Sequence, residues 1–454
     1  MRCVLFVALA ALPAVAFAQS SRGPAQADVR DFGAVGDGEA DDTAAIEKAI
    51  NSGRGLVRLN KGRFRLTRPI VIELDKTGYV AIEGHGVAQI VMAAAGPAFK
   101  FVGTHTKGSA DPGSFEPHVW RNQRMPMVDG VEFIGAHEEA DAIEADGTMQ
   151  LTVTRCRISQ CRHGIHLVNR NRNILVSECH IYHNRGIGIF YDEVSLHQSN
   201  ISACHISYCG GGGVVCRGGD VRNIHIGTCD LESNHAENGP PTANVLIDNA
   251  TSPNGTAEVA ITGCTIQHNS KGPESANIRI LGRGSAQAQW GHVTITGNVF
   301  SDVKTNVHLK GCRGITLTGN TFWMGYEHNL LVEDCRQIVV GANALERNPA
   351  YAYGTAKTTQ NATIFRDCAD CTLSGLHIEG THTVEAGLML ENCNRFNITG
   401  CTILDCDHAG LLARNLTNSR ISGCLIRDDR GNRTRSIKVE GGRGNQIVDN
   451  LTNE

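Results

Sequence analysis

A chain of 454 residues with 42 Lys+Arg against 46 Asp+Glu, net charge −4 and mixed signs, has no basic footprint for nucleic acid. Past its first residues no apolar run is long enough to span a membrane, so the sequence predicts no membrane span.

In chain order, Arg2, an apolar run from Cys3 to Ala16 and Ala16-Phe-Ala18 before Gln19 read as a cleaved secretory signal over 1–18. A polar linker follows over 19–27, and one domain over 28–454. The mature chain is expected to be secreted or periplasmic. The segment Asp31-Phe-Gly-Ala-Val-Gly-Asp37-Gly38 then leads into a short helix, with Asp42 or Thr43 as its cap and Ala45, Ile46, Ala49 and Ile50 as its apolar stripe. Strands are predicted at Gly55–Leu59, Gly62–Leu66 and Pro69–Leu74.

From Leu151 one phrase returns, apolar-x-x-(Cys/Asn)-x-apolar. Val153-Thr-Arg-Cys156-Arg-Ile158 recurs as Val176-Ser-Glu-Cys179-His-Ile181 and as Ile201-Ser-Ala-Cys204-His-Ile206. The ladder continues through Cys229, Cys264, Asn298, Asn320, Asn343, Leu376, Cys401, Cys424 and Asn450. Its units of about 23 residues, some lengthened to about 34, cannot bury an apolar face alone and must stack. A second ladder, Cys312, Cys335, Cys368 and Cys393, closes another alternating strand in each unit. Helical spacing is absent. The reading is an all-β, single-stranded parallel solenoid of about twelve rungs, with the N-terminal helix covering the first rung's edge.

The opening segment, with Gly62-Arg-Phe-Arg-Leu66 and Ile82-Glu-Gly-His-Gly86, resembles the pectate-lyase superfamily, rhamnogalacturonase/epimerase-like, over essentially the whole mature chain. The resemblance implies a right-handed parallel β-helix and action on polysaccharides by lyases, hydrolases or epimerases. The polygalacturonase motifs are not in their places: Gly84-His85-Gly86 comes too early, Asp428-Asp429 follows it, and Ser436-Ile437-Lys438 is a partial echo. The epimerase cluster of Tyr, Asp and His close in sequence is also missing.

Of the 17 cysteines, most lie on the ladders, one rung apart. Parallel stacking points their side chains the same way, which is poor geometry for bridging, so they read as buried free thiols. No Cys/His set has zinc spacing. The acidic run from Asp37 to Asp42 leaves calcium open as a cofactor but lacks the alternating spacing of a calcium loop; no cofactor is assigned.

Stacked rungs bring distant polar residues onto one face. The catalytic candidates there are His183, Tyr208, His235, Arg185, Lys271 and Glu237, types that acid–base cleavage of a sugar chain uses. The substrate-binding candidates are His166, Tyr182, Asn244, His268 and Asn277, together with Arg279, Asp302, Asn306 and His308. Gly210 to Gly213 is expected to open a trough between long rungs, and the loop with Arg347, Tyr351, Tyr353 and Lys357 is a competing patch. The favoured activity is a lyase on a uronate glycan, in which Arg185 or Lys271 neutralises the carboxylate and His183, Tyr208 or His235 takes the C5 proton. A glycoside hydrolase, which needs two carboxylates, is one alternative. A non-catalytic carbohydrate-binding solenoid of the cell envelope is the other. The expected partner is a polysaccharide; oligomeric state is not legible.

Overall fold

The computed structural model describes residues 26–106, 112–114, 116–284, 286, 291–348, 350–351, 356–430 and 435–453. The expected signal over 1–18 lies outside them, as does Tyr353. The described chain is a parallel β-solenoid in which each strand pairs with the equivalent strand of the next rung. Ile158 pairs with Ile181, Ile181 with Ile206, Ile206 with Leu231 and Leu231 with Ile266, all fully buried. Each such side chain stabilises the stack by roughly 1.5–3 kcal/mol.

A rung has three faces, where the repeat phrases predict at least two. The first face, such as Thr152–Thr154, precedes the ladder residue, and the second, such as Arg157–Ser159, follows it. The third opens the strand Ile165–Ser177, which bends past Val168 and continues as the first face of the next rung. On the third face of this rung Ile165 and Leu167 are buried and His166 and Val168 half-buried, whereas on the following rungs the outer row is buried too, as at Val215 and Leu246.

The first corner explains the Cys/Asn phrase. On most rungs the residue before the ladder position is left-handed, as at Arg155 (φ 52°), Glu178 (φ 55°) and Ala203 (φ 51°), with glycine there on others, as at Gly263. The ladder side chain then turns inward. Asn298 donates from Nδ2 to the carbonyl of Ile261 at 3.0 Å and accepts from the Cys264 N–H at 2.9 Å. Cys229 directs its thiol to the equivalent carbonyl of Ile201, at 3.7 Å, and to that of Gly227 at 3.2 Å. Among the described residues every cysteine is a buried free thiol.

The helix Thr43–Ile50 buries Ala45, Ile46, Ala49 and Ile50 against the first rung, as its stripe predicts. Its cap differs from the expectation. Asp42 holds the N-cap position, but its buried carboxylate accepts from the Val35 and Gly36 N–H groups, tying down the approach loop instead. Asp37 likewise accepts from Glu39 and Ala40, and Asp41 from Thr43 and Thr67.

Candidate active site

The second corner, between the second and third faces, carries one left-handed residue per rung: His183 (φ 54°), Tyr208 (φ 56°), Ser233 (φ 56°), His268 (φ 51°) and Asp302 (φ 63°). Register stacks these turns about 4.8 Å apart. A left-handed backbone throws its side chain out of the alternation, so four ring or carboxyl groups collect at one edge. His183 and Tyr208 stack with centroids 5.0 Å apart, and Tyr182 meets His183 edge-on at 5.3 Å. Ser233 is the small member of the row. In its rung Glu232, the residue before it, reaches both neighbours: the Tyr208 hydroxyl donates to Glu232 Oε1 at 3.0 Å, and His268 Nδ1 lies 3.3 Å from the same oxygen. His268 Nε2 in turn lies 4.0 Å from Asp302 Oδ2, which accepts from the Ser301 hydroxyl at 2.8 Å.

The two carboxyls differ in setting. Asp302 is 4% exposed, and burial raises its pKa above the ordinary carboxyl value, opposed by the Ser301 hydrogen bond and by His268. The Glu232 side chain is 21% exposed and faces the outside of the corner. The hydrogen bond to Glu232 raises the Tyr208 pKa and keeps its hydroxyl protonated. The corner thus sets a buried carboxyl and a more open one on either side of one imidazole.

The chain matches three family models: "Right handed beta helix region" over 120–240 and 356–453, "Rhamnogalacturonase A/epimerase, pectate lyase-like" over 26–109, and "Periplasmic copper-binding protein (NosD)" over 241–385. The chain is a right-handed β-helix whose opening segment, 26–109, is pectate lyase-like. Among curated proteins none matches. Among solved structures, the β-helix is similar to bacteriophage CBA120 tailspike protein 3, at 16% identity and a TM-score of 0.58 over 94% of this chain and 61% of that one. It thus spans about three fifths of that tailspike. A mutant tailspike protein of E. coli bacteriophage HK620, solved in complex with a pentasaccharide, is 12% identical with a TM-score of 0.52, over 93% of this chain and 81% of that one. At these identities the likeness is one of fold.

Of the residues predicted from sequence, the β-helix brings His183, Tyr208, His268 and Asp302 together, with Tyr182 at the edge. Several others are corrected. His235 is buried, with Nε2 3.0 Å from the Ala276 carbonyl, and burial lowers its pKa to about 4, so it is no outward base. Asn244, Asn277 and Asn306 do not face substrate: they form an internal chain in which Asn244 donates to Asn277, Asn277 to Asn306 and Asn306 to Asn329, each at 2.8 Å. Arg279 is buried and donates to the Glu274 carbonyl. Gly210 to Gly213 opens no trough. A Cβ on Gly210 would lie 2.5 Å from the Arg185 carbonyl, and one on Gly213 2.5 Å from that of Asn244, so these glycines allow turns to stack closely.

Arg185 is exposed but donates to the carbonyls of His137 and Glu138, while exposed Lys271 pairs with Glu237 at 3.1 Å. His166 and His308 stand on the outer row of the third face, paired with Asp192 at 3.0 Å and Glu333 at 3.1 Å. In the competing loop Arg347 is tied to the carbonyls of Thr359 and Lys357, and Tyr351 packs edge-on against Trp323. Sequence reasoning missed Glu232. In register it belongs to the row Ser159, Tyr182, Ser207, Glu232, Gln267 and Ser301. Its being the one carboxylate in that neutral row is the signal that marks it.

Proposed function

We propose that this protein is an exported polysaccharide-active enzyme that hydrolyses glycosidic bonds by acid–base catalysis at the second corner. The observation that carries the reading is the bracketing of His268 by Glu232 at 3.3 Å and Asp302 at 4.0 Å. Glu232 activates the attacking water and Asp302, biased toward its protonated form, supplies the proton to the leaving oxygen; His268 holds the two carboxyls apart. The bond from water to the anomeric carbon forms as the glycosidic bond breaks, and the leaving oxygen departs protonated. Tyr208 fixes one oxygen of Glu232 and leaves the other for water.

Hydrolysis is preferred to β-elimination for three reasons. The cations that would neutralise a uronate are held elsewhere, Arg185 by two carbonyls and Lys271 by Glu237. Tyr208, with its raised pKa, is a poor base. A uronate bound against Glu232 would meet like charge. The pentasaccharide in the HK620 tailspike complex supports a glycan as the ligand class. The described residues give no support to the copper of the NosD description: the thiols of that segment are buried and directed at carbonyls, as Cys264 to Thr262 at 3.4 Å and Cys335 to Glu333 at 3.2 Å, and no three His, Cys, Asp or Glu side chains among the described residues gather as a metal's ligands would.

Product analysis tests the reading. Against a panel of neutral and uronate polysaccharides, the mature protein should release reducing ends with no unsaturated, ultraviolet-absorbing ends. Unsaturated products would make it a lyase; with no product from any polymer, the non-catalytic binding reading takes its place.

A further inference from the structure

On the first face, away from the acid–base corner, two cavities of about 670 and 560 Å³ share Met125 and Gln150 and form one groove along the rungs from Gly55 to Ala260. One end is an aromatic platform. Tyr79, Trp120 and Met125 are 51%, 40% and 60% exposed, and the Arg124 guanidinium lies over both rings, 5.7 Å from the Tyr79 centroid and 5.5 Å from that of Trp120. The Tyr79 hydroxyl donates to the Arg121 carbonyl, which fixes that ring relative to the helix Pro117–Asn122.

Further along, the wall is a rail of amides. Gln150, Asn173, Gln198 and Asn223 occupy left-handed turn positions (φ 59°, 55°, 66° and 59°) on consecutive rungs. Asn173 donates to Gln198 and Asn223 to Glu258, contacts that use only part of what an amide can donate and accept. The floor is the outward row Thr152, Leu175, Asn200, His225 and Ala260, with Leu175 43% exposed. Flat apolar surface for C–H faces beside repeated uncharged donors and acceptors is the chemistry of a sugar site. The rail recurs about every 4.8 Å, close to the length of one pyranose unit, so an extended chain along the solenoid axis would meet one amide per residue. Arg124 and Glu258 are its main fixed charges, too few for a polyanion.

We propose that this groove is a second, non-catalytic binding site for a neutral oligosaccharide or polysaccharide chain, holding the polymer on a face that the acid–base corner does not share. The inference does not depend on which reaction that corner performs.

Affinity electrophoresis tests it: the Asp302→Asn protein is run in native gels containing hydroxyethylcellulose, xyloglucan, galactomannan, dextran or polygalacturonate. At least one neutral polymer should retard it, with apparent affinity falling tenfold or more in Trp120→Ala and in the rail variant Asn173→Gly/Gln198→Gly, at unchanged melting temperature, since glycine accepts the left-handed backbone of both positions. The rail variant alters only surface side chains and remains informative if Trp120→Ala does not fold. Glu232→Gln should leave retardation intact. The proposal is overturned by no retardation in any neutral gel, by retardation in polygalacturonate alone, by retardation that survives the groove variants, or by its loss in Glu232→Gln.

Discussion

At the first corner a thiol and an amide are interchangeable because both point a donor at the same carbonyl of the preceding rung, as Cys204 does to Val176 and Asn320 to Ile295. Cys204→Ser should therefore cost no more than about 1 kcal/mol in chemical denaturation. Ile206→Asp should cost about 5 kcal/mol or more and prevent folding, since it removes a fully buried side chain and inserts an unpaired charge. Equal tolerance of the two would contradict the register. The buried histidines set a pH dependence. Burial lowers His105, His163 and His235 from 6.5 to about 4. The unfolded chain then binds these protons first, so their contribution is whole above pH 6.5 and is lost as pH falls towards 4. Unfolding free energy measured at pH 7 and 4.5 should drop at the lower value, and His235→Gln should shrink the drop. An unchanged drop would show that His235 is not buried neutral.

Within the rung, strand alternation made the inward apolar positions legible, whereas turn positions broke the rule. Asn244 and Asn277 precede buried Val245 and Ile278, so period-2 logic placed them outside. They sit where the chain swings from the second face to the third, and there the residue before the strand also points inward. The same corner misled the reading of His235 and of Gly210 to Gly213. Asn277→Leu should cost about 1–3 kcal/mol, measured by denaturation, because it leaves Asn244 and Asn306 without their shared partner. The ladders also predict thiol chemistry: alkylation should be slow in the native protein and, after unfolding without reductant, should label most cysteines. Labelling of only a few would mean that the stack is cross-linked.

Over the whole molecule, the stacked fold was readable from the repeat and the opening segment, but the site was only partly so. His183, Tyr208, His268 and Asp302 could be gathered because each follows its ladder residue at a similar offset. Glu232 was missed because it stands one place before the turn position that those four share, and its lone charge in a neutral row shows only once the rungs are set in register. The central claim is that this corner is the catalytic centre. Its most direct test is kcat/KM for Asp302→Asn and Glu232→Gln on one polymer that the wild type cleaves, with matched melting curves. Each should fall by roughly 10²–10⁴-fold at unchanged Tm; wild-type turnover in both would contradict the account.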